Sequence, residues 1–387
     1  MLLEKDFPPD GRVENEIQEL IKSGHTIDMV CYSRAKEYTE PYKNGTLYKF
    51  PLSKFMYKVS ALALSVPFYF RYWYKNVSKV IRQNQYDAIH VHDLPLVKVG
   101  LKIGRKNGIK VIADLHENRP EIMRFYPYLK QFPAKYLINI KKWHSYQARI
   151  CGQVDRLVLV TPEAKDYYIA KFGVKAERIF VVSNYANIEA FDKINTSSYI
   201  VNRVSQKFSI TYFGDSGVRR GTIDLIHVAA RLKHIEDLHF YIIGDSTEQK
   251  VLEEEAEKLH TGNVTLTGYI PFDIASSYLQ ASRIGVCPFH RNVHHDTTYA
   301  NKMFQYMYYG LPLIVSDCPS QVNVVNESGC GIVFPAGNIE ELEKAILEIY
   351  GNKQLGIEMG KKGKEAVNKK YNWTVAGEVL KDLYASI

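Results

Sequence analysis

Short β-branched runs alternate with segments of helical period along almost the whole chain, and this alternation restricts the fold more than any other feature. The runs fall at residues 26–33, 86–93, 109–117, 154–162 and 179–185, then at 208–215, 238–245, 264–270, 284–289, 312–317 and 331–335. Between most of them apolar residues recur at helical spacing: Val13, Ile17, Leu20 and Ile21 closed by Gly24, or Leu342, Ala345, Ile346 and Ile349. A strand, a crossover helix and a second strand make parallel neighbours, so parallel sheets follow. The two series are separated by a polar stretch at 186–207 containing Asn187, Asp192, Asn195 and Ser197, and 387 residues exceed one comfortable core. The expected fold class is therefore α/β, with two Rossmann-like, doubly wound parallel-sheet domains facing a central cleft. The expected boundaries are 1–187 for the first domain, 188–370 for the second, and 371–387 for a closing helix that packs back on the first. That helix is read from Trp373, Val375, Val379, Leu380 and Leu383. Met1-Leu2-Leu3 resembles the tail of a strand, which predicts either a stunted first strand or a start set too late.

In doubly wound sheets ligands bind beyond the carboxyl ends of the strands. That rule selects His92 and Asp93, His116 and Glu117, Gly214 and Asp215, Gly244 and Asp245, and the loop 290–302. Residues 295–315 are the most telling of these. A polar loop leads into a short helix with Met303 and Met307 on one face, and Gly310 and Pro312 end it before an apolar strand. A loop feeding a helix start suits an anion, and Lys302 in the first turn adds a full positive charge for a phosphate or diphosphate. A metal is not expected. His90 and His92 share a strand face beside Asp93 without an identifiable third ligand, and His290, His294, His295 and Asp296 belong to a flexible loop with no fixed ligand geometry.

Composition excludes several classes. The longest apolar run, Ala61 to Phe70, is interrupted by Pro67 and far shorter than the roughly 20 residues of a membrane-spanning helix. With no apolar leader at the N-terminus, the expected compartment is the cytoplasm. Five widely spaced cysteines, with no Cys-x-x-Cys pair, read as reduced core residues. The net charge of +8 is uneven, because residues 49–149 hold 19 Lys and Arg against 5 Asp and Glu. Interleaved with these are Phe55, Tyr57, Phe68, Phe70, Tyr72, Trp73 and Tyr74, a combination suited to the anionic inner face of a membrane. No helix-turn-helix, zinc-finger or RNA-binding signature accompanies the charge, so nucleic acid is not the expected partner.

In order and spacing, the motifs resemble the retaining GT-B glycosyltransferases of glycosyltransferase family 4. They are Phe7 to Glu14, Tyr86 to Asp93, Asp114 to Glu117, Gly214 through Arg220 and Gly221, Gly268-Tyr269, Tyr299 to Pro312, and the closing helix. The resemblance implies the GT-B fold and a nucleotide diphosphate sugar, UDP- or GDP-linked, as co-substrate. Arg220 stands at the position of the family's phosphate-binding lysine, with Arg219 its neighbour. Arg220, Lys302 and His116, the last at the place of a histidine that contacts the donor sugar, are the implied catalytic residues. Gly11 matches one glycine of the family's N-terminal pair, with Arg12 in the adjacent place. The implied donor set also includes Gly214, Gly268, Tyr269, Thr297, Tyr299, Ala300, Asn301 and Gln305, and the acceptor side is His92, Asp93 and Glu117. The chain departs from the family where two signature glutamates are expected, since the matched positions are Thr297 and Gln305. The sequence also lacks any Asp-x-Asp pair, which leaves protein cations to neutralise the diphosphate without a cofactor. The resulting expectation is a retaining, metal-independent, peripherally membrane-bound enzyme that transfers sugar to a lipid-linked saccharide in surface-polysaccharide assembly. A nucleotide-sugar 2-epimerase and a non-catalytic sugar-nucleotide-binding partner are the alternatives.

Overall fold

The computed structural model describes residues 1–126, 129, 131, 132 and 134–387, apart from the side chains of Tyr57, Lys58, Val59 and Pro67. Two compact units divide the chain, one of residues 1–184 with 376–387 and one of residues 185–375, where the sequence set boundaries at 187 and 370.

The first unit is built on eight strands: β1 (Leu2–Asp6), β2 (Met29–Ser33), β3 (Tyr38–Tyr42), β4 (Gly45–Pro51), β5 (Ala88–His92), β6 (Lys110–Leu115), β7 (Arg156–Leu159) and β8 (Ile179–Val181). Their order is β3-β4-β2-β1-β5-β6-β7-β8, parallel throughout except for β3, which runs antiparallel on the edge. β1 corrects one expectation. It is a five-residue central strand between β2 and β5 rather than a stunted one. Its polar half escaped the apolar pattern because each charge has a partner: Glu4 accepts from the Tyr69 hydroxyl, and Asp6 pairs with Lys49 at 2.9 Å. The β3–β4 hairpin was not anticipated, since Pro41 breaks the run, although Asn44-Gly45 beside Lys43 (φ 57°) is a turn signal.

The second unit carries β9 (Phe208–Phe213), β10 (Leu238–Ile243), β11 (Val264–Gly268), β12 (Ile284–Cys287), β13 (Leu313–Ser316) and β14 (Gly331–Phe334). These form an all-parallel sheet in the order β11-β10-β9-β12-β13-β14. Strands buried on both faces read as continuous apolar runs, and Ile210, Phe240, Ile242, Val286 and Ile314 fill this core beside Met303 and Met307.

Each sheet reverses its winding once. The reversal lies between β1 and β5 in the first unit and between β9 and β12 in the second, which fixes where each unit can hold a ligand. The closing helix Trp373–Ala385 gives residues 376–385 to the first unit, where Lys381 pairs with Glu19 at 2.8 Å and Tyr384 meets His90. All five cysteines are free and buried. Among the described residues no helix is long and apolar enough to cross a membrane.

Candidate active site

In the first unit the switch point is occupied by a buried charged array. The helix Gly11–Lys22 starts from the Asp10 cap and places Val13, Glu16, Ile17 and Leu20 on its buried side, so Glu16 enters the core with them. Asp114, near the end of β6, is the hub. Arg12 Nη2 and Nε lie 2.9 and 3.3 Å from its two oxygens, while His116 Nε2 and His92 Nδ1 approach Oδ2 at 3.0 and 3.2 Å. Arg12 Nε is also 3.0 Å from Glu16 Oε1, at ion-pair distance, and its Nη1 donates to the Val182 carbonyl and to Asn184.

These neighbours set the charge states. Burial would raise the Asp114 carboxyl, but Arg12 and His116 hold it well below the usual range. Burial opposes the His116 imidazolium, yet Asp114 and Asp93 outweigh it and lift its pKa to about 9. Burial carries His92 down to about 3, and burial with the nearby Asp114 raises Glu16 to about 8. At neutral pH the array therefore presents one imidazolium, His116, with 18% of its side chain exposed, and keeps the other histidines neutral.

Glu16, His90, His92 and Asp114 offer ligand atoms within 4.8 Å of one another, so the convergent donors that sequence could not supply do exist. One feature argues against an ion there: the Arg12 guanidinium already lies at ion-pair distance from both Glu16 and Asp114 and supplies the cation of the array.

In the second unit the cations gather after β9 and β12. Gly214 (φ 108°) and Asp215 follow β9, and a short turn carries Arg219 and Arg220 to Gly221. Both arginines rest on one oxygen of Asp215, at 2.6 and 3.3 Å. The Lys302 Nζ sits 3.5 Å from the Tyr212 ring centroid and 5.2 Å from that of Phe289, buried and without a hydrogen-bond acceptor. Burial first, then Arg220, hold the Lys302 ammonium well below its usual range. Two arginines thus rest on one oxygen of Asp215, and the neighbouring Lys302 Nζ is buried with no hydrogen-bond partner among the described residues, which is an unfavourable arrangement until an anion arrives. His295 supports it. Its Nδ1 donates to the His290 carbonyl at 2.8 Å, burial keeps its pKa near 3, and the free Nε2 accepts from Arg219 at 3.3 Å.

The remaining sequence-selected residues separate into two groups. Gly11, exposed, has nothing within 4 Å of where a Cβ would stand, and Gly268 (φ 65°) precedes the exposed Tyr269. Gln305 and Tyr299 are half-buried, Ala300 is buried and Asn301 exposed. The Thr297 hydroxyl donates to the Val293 carbonyl at 2.6 Å. His92, expected on the acceptor side, is fully buried behind Asp114 and His116; Asp93 (φ 65°) and Glu117 are the partly exposed residues there. Arg12, adjacent to the expected glycine loop, is a buried ion-pair partner instead. His290 pairs with Asp224 at 2.6 Å and Asp296 with Arg291 at 2.8 Å, so that loop is tied by its own charges. Arg12, Glu16 and Asp114 were not among the residues selected from the sequence as candidate site residues, and His295 was read only as part of its loop.

Two doubly wound parallel-sheet units, each with polar groups at its switch point, are the architecture of the GT-B fold. The family described as glycosyltransferase family 4 matches residues 12–190, and that described as glycosyl transferases group 1 matches residues 207–352. An uncharacterised glycosyltransferase of Methanocaldococcus jannaschii is 21% identical over 95% of this chain and 92% of its own. Sucrose-phosphate synthase of Thermosynechococcus elongatus superposes with a TM-score of 0.78 at 15% identity, covering 99% of this chain and 94% of that one. Anabaena HepE, solved in complex with UDP, gives 0.72 at 14% identity over 100% and 99%. The chain belongs to glycosyltransferase family 4.

Proposed function

We propose that this glycosyltransferase is retaining and metal-independent, and that it moves a sugar from a UDP- or GDP-sugar to a lipid-linked saccharide. The acceptor belongs to surface polysaccharide assembly, in a capsule, lipopolysaccharide or exopolysaccharide, at the cytoplasmic face of the membrane. The observation that carries the donor reading is the buried, unpartnered Lys302 ammonium beside two arginines that share one carboxylate. A departing nucleoside diphosphate gains negative charge as the glycosidic bond breaks, and prearranged cations stabilise it most where water is excluded. Arg220 and Lys302 take that role, and the leaving phosphate accepts the acceptor's proton. His116, held as an imidazolium by Asp114, steadies the sugar through the nitrogen not committed to that carboxylate. Tyr269, Tyr299, Asn301 and Gln305 complete the donor side with uncharged groups, so loss of the signature glutamates removes charge but not hydrogen-bonding capacity. Anabaena HepE, a fold relative, binds UDP, which supports the choice of co-substrate.

The test is to incubate UDP- and GDP-sugars with the protein, with and without a lipid-linked oligosaccharide extract and in EDTA. The reading expects nucleoside diphosphate release only with acceptor, and an unchanged anomeric configuration in the product. Conversion of the nucleotide sugar without acceptor would instead show an epimerase, and binding without any transfer a non-catalytic partner.

A further inference from the structure

The helix Ile140–Cys151 of the first unit carries Lys141, Ser145 and Arg149 four residues apart, with Lys142 alongside. Together with Lys98, in the first turn of the helix Val97–Asn107, and with Leu64, they line a cavity of about 470 Å³. No carboxylate lines it, and none of its four cations forms an ion pair among the described residues. The nearby Glu121 is already taken by Arg124 at 2.9 Å and His144 at 3.1 Å, and neither partner lines the cavity. Four like charges around one concavity repel each other until a counter-ion enters, and Ser145 adds a neutral hydrogen-bonding hydroxyl.

Exposed aromatic side chains lie close in sequence to the residues of this cavity. Phe132 is 85% and Tyr136 76% exposed, and the turn Ala134–Leu137 that bears Tyr136 leads directly into the helix with the lysines. Lys98 Nζ itself lies 5.0 Å from the ring centroid of Phe70, two residues after the exposed Phe68. The remaining aromatics of the basic stretch divide similarly: Trp73 is buried, Tyr72 and Tyr74 half-buried, Phe55 exposed, and the Tyr57 side chain lies outside the described residues. Exposed rings beside unpaired cations match a membrane surface, where the rings enter the headgroup layer and the cations meet phosphate.

We propose that this cavity is a phosphate-binding site that seats the headgroup of an anionic membrane lipid, with Phe132, Tyr136 and Phe68 entering the interface around it. The inference rests on the proposed membrane association and names its site, but it needs nothing from the donor chemistry.

Sedimentation with vesicles of phosphatidylglycerol and phosphatidylcholine, and with vesicles of phosphatidylcholine alone, tests it. The wild-type protein should bind the mixed vesicles, with affinity falling steeply as salt rises, and bind the neutral ones at least tenfold more weakly. Lys141→Glu with Lys142→Glu should lose at least tenfold on the mixed vesicles, and so should Lys98→Glu on the neighbouring helix, all with unchanged thermal melting. Undiminished binding by these variants would overturn the cavity while sparing membrane association. Failure of the wild type on both vesicles would overturn both. Saturable binding of inorganic phosphate without vesicle binding would overturn the lipid source.

Discussion

Asp114 does more for the first unit's chemistry than any residue that reaches solvent. Its carboxylate is buried and surrounded by Arg12, His92 and His116, with Asp93 the second acid acting on His116. A group whose folded pKa is raised, here from the ordinary histidine value to about 9, stabilises the fold fully below about pH 6.5 and loses that contribution as pH rises through about 9. Any activity that needs the imidazolium should fall along the same upper limb. Asp114→Asn removes the counter-charge, so the limb should move down by about 1–2 pH units. The ring signals of His116 in an NMR titration should move with it, and an unmoved titration would exclude Asp114 as the cause. Asp114 and Glu16 were partly legible. Glu16 shares a helical face with Val13, Ile17 and Leu20, and Asp114 interrupts the run Val111 to Leu115, which are the marks of charges forced into a core. Their meeting was not legible, since 98 residues separate them and only the sheet order joins them.

At the scale of elements, backbone approach shapes the second unit's switch point. Gly221 has φ 73°, and a Cβ there would stand 1.8 Å from the Pro288 carbonyl oxygen just beyond β12. Gly221→Ala should cost about 3 kcal/mol or more, read as a lower denaturant midpoint, because the clash adds to left-handed strain. Gly11→Ala is the contrasting case. With open space around its Cβ, stability should change by no more than about 0.5 kcal/mol, while donor affinity falls if the diphosphate approaches that backbone. Strand positions in both sheets were readable because strands covered on both faces are nearly continuous apolar runs. The β3–β4 hairpin was not, since an exposed edge needs no apolar pattern and Pro41 tolerates it. The His295 contact with Arg219 was equally hidden, because the three loop histidines His290, His294 and His295 look alike until the fold assigns one of them to Arg219.

At the scale of the whole molecule, the two units divide the electrostatic work. Residues 49–149 of the first hold the excess of cations, whereas the second concentrates Arg219, Arg220 and Lys302 around Asp215. Family order and spacing made this division legible, while the degree of burial at Lys302 became visible only with the fold. The central claim is that protein cations alone hold the diphosphate. Calorimetric titration of UDP and of GDP into the wild type, Lys302→Met and Arg220→Ala, all in EDTA, tests it most directly. The account predicts that at least one nucleotide binds the wild type without a divalent ion, and that each variant loses about 10- to 100-fold, or roughly 1.4–2.7 kcal/mol. Binding that appears only on adding magnesium or manganese, or that survives intact in both variants, would contradict it.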